Sequence, residues 1–126
     1  MNMNTADVIQ KLFELQIDAK LYHWQTQSYA NHKAVGELYD AIISLTDEMI
    51  EVAMGRSGRP KMGPRASVRI RNMTKRDMVE SVRGAVSYFE RLDTKFKDVA
   101  ALRDDLLAAL SKTLYLLTLN NNKNKK

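Results

Sequence analysis

Two histidines and a spaced pair of carboxylates carry the chemistry-bearing residues of this chain. His23 and His32 are its only histidines, and Asp47 and Glu51 follow in an Asp-x-x-x-Glu pattern. Neutral imidazole and carboxylate oxygen together suit iron and other first-row metal ions. Asp47 and Glu51, at i and i+4, lie on neighbouring turns of one helix face and can share one ion or a pair. Acids on such a face can equally be plain solvated residues, and a histidine beside Trp24 at a helix end can be structural.

Four segments are expected to be helices. The first starts at Thr5, read as its N-cap with Asp7 in the first turn. It carries Val8, Leu12, Leu15, Ala19 and Tyr22 at three- and four-residue steps and is expected to end near Thr26. Ser28 caps the second, which runs to about Met54 with Gly55 as its stop. Thr74 caps the third, and Asp77 three residues on makes a capping-box pattern. Its stripe is Met78, Val82, Ala85, Phe89, Leu92 and Phe96. The fourth runs from about Val99 to Leu119, with Leu102, Leu106, Leu110 and Leu117 on one side. No strand-like alternation competes. A long connection from Gly55 to Met73, with two prolines and three glycines, separates helices two and three. A link of that length lets the two run parallel, and a short helical turn is expected within it between Arg65 and Arg71. The expected fold is therefore all-α: a ferritin-like four-helix bundle with a crossover, over residues 1–119. Residues 120–126 are expected to form a disordered basic tail.

The second helix has two working faces. At about 100° per residue, Leu38, Ile42, Leu45, Met49, Val52 and Ala53 form the core stripe. Asp40, Asp47 and Glu51 fall nearly opposite to it. Tyr39, Ile43 and Ile50 line up with His32 on a second apolar face, and such a face usually buries itself against a partner. His32 and Asp47 are fifteen residues apart on one helix, about 22 Å along its axis. They can meet at one ion only if they come from different chains. A two-fold antiparallel packing of second helices would bring them together, with His23 beside His32 across the bend.

Composition narrows the other functions. The 126 residues suit one domain, with about two thirds of the unfolded surface buried. The absence of cysteine excludes disulfides and thiolate metal sites and weakly favours an intracellular location. No apolar run is long enough to span a membrane, and no secretory signal is visible. The net charge of +5 is uneven. Eight basic residues and no acid lie between Gly55 and Arg76: Arg56, Arg59, Lys61, Arg65, Arg69, Arg71, Lys75 and Arg76. The tail adds Lys123, Lys125 and Lys126. Such clusters neutralise phosphates, so nucleic acid is a candidate partner for this loop and tail. The loop has no aromatic residue for base stacking, which points to duplex backbone. A solvated loop, or arginines pairing with acids of a neighbouring subunit, are the alternatives. No phosphate-binding glycine loop and no placed nucleophilic triad is present, and the seven methionines read as core filler.

The motif residues resemble those of the Dps family, the dodecameric mini-ferritins of bacteria. His23-Trp24 is similar to the family's His-Trp near the end of the first helix, and His32 to its second histidine. Asp47 and Glu51 stand at the family's ligand spacing. Ser57-Gly58-Arg59-Pro60 lies where the family has Gly-Gly-x-Pro. The final helix around Asp105–Leu117, with Tyr115, is also similar. The likeness spans about Val8 to Leu119. The stretch Tyr22–Ala34 looks closer to small Dps-like proteins of viruses and phages.

The resemblance implies a ferroxidase site shared across a dimer, with His23 and His32 from one subunit and Asp47 and Glu51 from the other. Asp40 and Glu37 are candidates for a supporting carboxylate. It implies iron(II) as substrate, hydrogen peroxide as the preferred oxidant and mineral storage in a homo-oligomeric shell. It also implies DNA protection through basic segments and a cytoplasmic or nucleoid-associated place, in a virus-encoded form if the phage likeness holds. The chain departs from the pattern at three points. Its histidines are nine residues apart rather than twelve. Gly36 stands where the family often has a further acid. The chain is also shorter than most members, with an unusually basic crossover. A shell or nucleic-acid-binding protein without metal chemistry is the competing expectation.

Overall fold

The apolar stripes become four helices in the computed structural model, which describes residues 3–119: α1 Thr5–Gln25, α2 Tyr29–Ser57, α3 Lys75–Arg91 and α4 Lys97–Thr118. Their starts follow the capping chemistry. Asn4, one residue before the expected cap, accepts the Asp7 backbone N–H at 3.2 Å. Ser28 Oγ accepts the N–H of Asn31 at 3.2 Å. Thr74 and Asp77 form the reciprocal box: the Asp77 N–H donates to Thr74 Oγ1 at 3.1 Å and the Thr74 N–H to Asp77 Oδ2 at 2.9 Å. The bond from the Thr74 backbone holds the Asp77 carboxyl below its ordinary range.

The ends differ from expectation in instructive ways. α2 passes through Gly55 and stops at Ser57, where Gly58 and not Gly55 takes a positive φ, 85°. The Gly58 N–H closes the last turn on the Met54 carbonyl at 2.8 Å. α3 ends at Arg91, so Phe96 does not extend its stripe and instead flanks the start of α4. The crossover has a hydrogen-bonded turn from Gly63 to Ala66, with N···O 3.1 Å, in place of a helical turn between Arg65 and Arg71.

α1 and α4 each pack against both α2 and α3, which places the helices around the bundle in the order α1, α2, α4, α3. Side chains fix the directions. Gln25 Oε1 accepts the Met73 N–H at 2.7 Å and Gln25 Nε2 reaches Asn72 at 2.9 Å, so α3 starts beside the end of α1. Arg56 Nη2 meets Asp98 Oδ2 at 2.8 Å, so α2 ends beside the start of α4. Helices α2 and α3 therefore run in the same direction, and the crossover must climb the length of the bundle. It climbs along α1: Gln10 Nε2 donates to the Ser67 carbonyl at 2.6 Å, and Arg71 reaches Asp18 at 3.7 Å. Inside, Leu12, Leu15, Ile42, Met49, Phe89, Leu106 and Leu110 are fully buried. Leu45 and Val52, expected in the core, pack only at its edge. No described helix is long and apolar enough to cross a membrane.

Candidate metal centre at the α1–α2 corner

Three residues, Thr26 to Ser28, turn the chain from α1 into α2. Underneath the turn, the buried Asn31 donates from Nδ2 to the buried Tyr22 hydroxyl at 2.9 Å. One residue further along each helix, the two histidines form a reciprocal pair. His23 Nδ1 lies 2.7 Å from the His32 carbonyl oxygen, and His32 Nδ1 lies 2.7 Å from the His23 carbonyl oxygen. Their rings stack with centroids 3.8 Å apart and planes 16° from parallel.

A carbonyl oxygen can only accept, so each Nδ1 must carry the proton it donates. In the neutral ring that leaves each Nε2 as a bare lone pair, the state a metal-binding imidazole needs. The His23 carbonyl belongs to the last turn of α1, where carbonyls lack helical donors, and His32 satisfies it. The pair is thus a corner brace that also fixes the orientation of both rings. Lone pairs lie in the ring planes. Planes this close to parallel do not meet within a metal–nitrogen bond of about 2.1 Å. Stacked in this way, the two rings cannot both direct a lone pair at one ion.

The carboxylates stand elsewhere. Asp40, Asp47 and Glu51 are exposed on α2, as is Glu37, and none has a hydrogen-bond or ion-pair partner among the described residues. Among the described residues of one chain, no three His, Asp or Glu side chains come together as a metal site. In the single chain the imidazole pair and the acid pair stay apart, at one end of α2 and about 22 Å along it.

The outer face around them is more apolar than α2 alone suggested. Ile43 is exposed, and Tyr39 and Ile50 are half-buried. α1 adds Phe13 and Trp24 to the exposed apolar surface, and Tyr29 at the start of α2 joins them, 75% exposed and 6.4 Å from the His32 ring. Lys20 Nζ bridges the helices over the rings of Trp24, at 5.4 Å, and Tyr39, at 4.5 Å. Phe13 and Trp24 were legible in the sequence: both fall on the side of α1 away from Leu12, Leu15 and Ala19.

The basic residues divide. Arg56 is committed to Asp98, Arg71 to Asp18 and Asp77, and Arg76 to Glu80. Arg59, Lys61, Arg65 and Arg69 are exposed with no acid partner among the described residues. The tail residues Lys123, Lys125 and Lys126 lie outside the described residues.

Fold and corner together define an all-α four-helix-bundle protein with a paired-histidine turn. Residues 23–117 match the profile of a family of unknown function, DUF5856, and the chain belongs to that family. The matched span runs from His23 itself through α2, the crossover and α3 to near the end of α4. No curated protein and no solved structure matches the chain.

Proposed function

We propose that the protein binds and oxidises iron(II) at a site shared between two copies of the chain. One copy supplies His23 and His32, and the other supplies Asp47 and Glu51. The observation that carries this reading is the reciprocal imidazole pair, which keeps both Nε2 atoms free for a metal. Two carboxylates on the same helix, without partners among the described residues, supply the complementary half, and the apolar outer face of α1 and α2 is the surface a second copy would cover. The resemblance to mini-ferritins supports the same division of ligands. Each of two iron(II) ions gives one electron to a peroxide. Its O–O bond breaks, and with two protons it leaves as two waters. Carboxylates favour the iron(III) product as hard anionic ligands. Storage of the mineral in a shell of many copies is part of the same reading, with iron as cargo.

Anaerobic iron(II) titration tests it. Replacing both acids, Asp47→Ala with Glu51→Ala, is expected to weaken binding by more than the roughly 10–100-fold that follows removal of a supporting partner. Oxidation by peroxide should slow with it. Equal binding and equal rates in the native and doubly substituted proteins would sink the reading. A large oligomer that takes up no metal, seen by light scattering with metal analysis, would favour a shell protein without the chemistry.

A second reading rests on four bases of the crossover that have no acid partner among the described residues. Arg59, Lys61, Arg65 and Arg69 meet no acid among the described residues and are available to phosphates, whereas Arg56 and Arg71 are already paired with Asp98 and Asp18. If duplex DNA docks there, neutralising all four should flatten the salt dependence of binding. The log–log slope should fall by up to about 0.9 for each phosphate left without its cation. A mobility shift that ignores those substitutions and the removal of residues 120–126 would exclude this mode.

A further inference from the structure

Gly36 stands one turn after His32 in α2. A Cβ built there would lie 2.7 Å from His23 Cε1 and 2.9 Å from His23 Nδ1, closer than real side chains approach. The His23 ring has little freedom to retreat. Its Nδ1 is bonded to the His32 carbonyl and its face is stacked on the His32 ring. Moving it away breaks both interactions. Two other helical glycines behave differently: a Cβ at Gly55 or Gly84 meets nothing within 4 Å. Gly36 alone among the helical glycines is kept small by what lies against it.

We propose that Gly36 is the positioning residue of the imidazole pair. The space of its missing side chain is the seat of the His23 ring. That seat holds His23 Nδ1 on the carbonyl of His32 and leaves Nε2 bare for a divalent cation. The seat stands on the geometry of one chain; its consequence for metal chemistry rests on the iron reading above.

The tautomer is the readout that separates positioning from mere packing. In the full-length native protein, nitrogen-15 NMR of the histidines in alkaline buffer should show both rings protonated at Nδ1. Gly36→Ala should abolish that signature for His23, and Gly84→Ala should leave it intact. Alanine is the better helix former, so Gly84→Ala should raise the melting midpoint. Gly36→Ala should lower it. With cobalt(II) alone as the probe, affinity should fall roughly 10–100-fold in Gly36→Ala and hold in Gly84→Ala. If Gly36→Ala does not fold, adding His23→Ala removes the ring that the methyl strikes and should restore folding. The proposal is overturned if Gly36→Ala keeps the native His23 tautomer, or if its folding defect persists without the His23 ring. A native protein that holds both Nδ1 tautomers but oxidises no iron would overturn the iron reading and leave the seat of His23 standing.

Discussion

Mixing subunits that lack both histidines with subunits that lack Asp47 and Glu51 is expected to restore iron oxidation that neither has alone. The reason is geometric. His32 and Asp47 are about 22 Å apart along one rigid helix, so no side-chain rotation brings them to one ion. On the proposed reading, each site of a two-fold dimer would take its imidazoles from one chain and its acids from the other. A mixed dimer then has one site missing all four ligands and one site with all four intact. Half of randomly reassorted dimers are mixed, so activity should return to about a quarter of the native level. The measurement is the rate of peroxide-driven iron(II) oxidation after the two variants are dissociated, mixed and reassembled. A site within one chain would give no recovery at any mixing ratio. Recovery near a quarter would also fix the partner as a second copy, because no other molecule in the assay carries the missing residues.

That expectation shows which parts of the site could be read from residue spacing. The distance along α2 needs only the rise of a helix, so the separation of His32 from Asp47 was legible before any fold was known. The caps of α2 and α3 were legible too, because Ser28, Thr74 and Asp77 act within four residues of themselves. The seat of His23 was not. In the sequence Gly36 reads as a missing acid, whereas in the fold it is the space that an imidazole from another helix fills. Such a fit depends on how closely α1 and α2 approach at the corner, which no local pattern encodes. The end of α2 was misplaced for a related reason. Gly55 and Gly58 are both credible stops, and only the path of the crossover decides which takes the positive φ. The basic loop shows the same limit. Arg56 and Arg71 look like Arg59 and Arg65 until the fold brings Asp98 and Asp18 beside them.

Phe89→Ala is expected to be among the most destabilising single substitutions in the bundle, costing about 3–5 kcal/mol. Phe89 is fully buried, on the short helix α3 where it packs toward α1 and α4. Its ring also meets Tyr88 edge-on at 4.9 Å. α3 has no face to spare: Met78, Val82, Ala85 and Phe89 are its only fully committed apolar positions, and Phe89 is the largest. Native stabilities of about 5–15 kcal/mol leave little margin for such a loss. Urea unfolding should therefore show a much lower midpoint with an unchanged slope, as expected for weakened packing rather than a changed unfolded state. Phe89 lies towards the far end of α3 from the His23–His32 corner, because α3 begins beside Gln25. While the variant remains folded, both histidines should keep their native tautomers. Gly36→Ala should do the reverse, shifting the His23 tautomer at a smaller cost in stability. A loss of the imidazole signature in folded Phe89→Ala would mean that the corner depends on the whole core, and that Gly36 has no special claim on it.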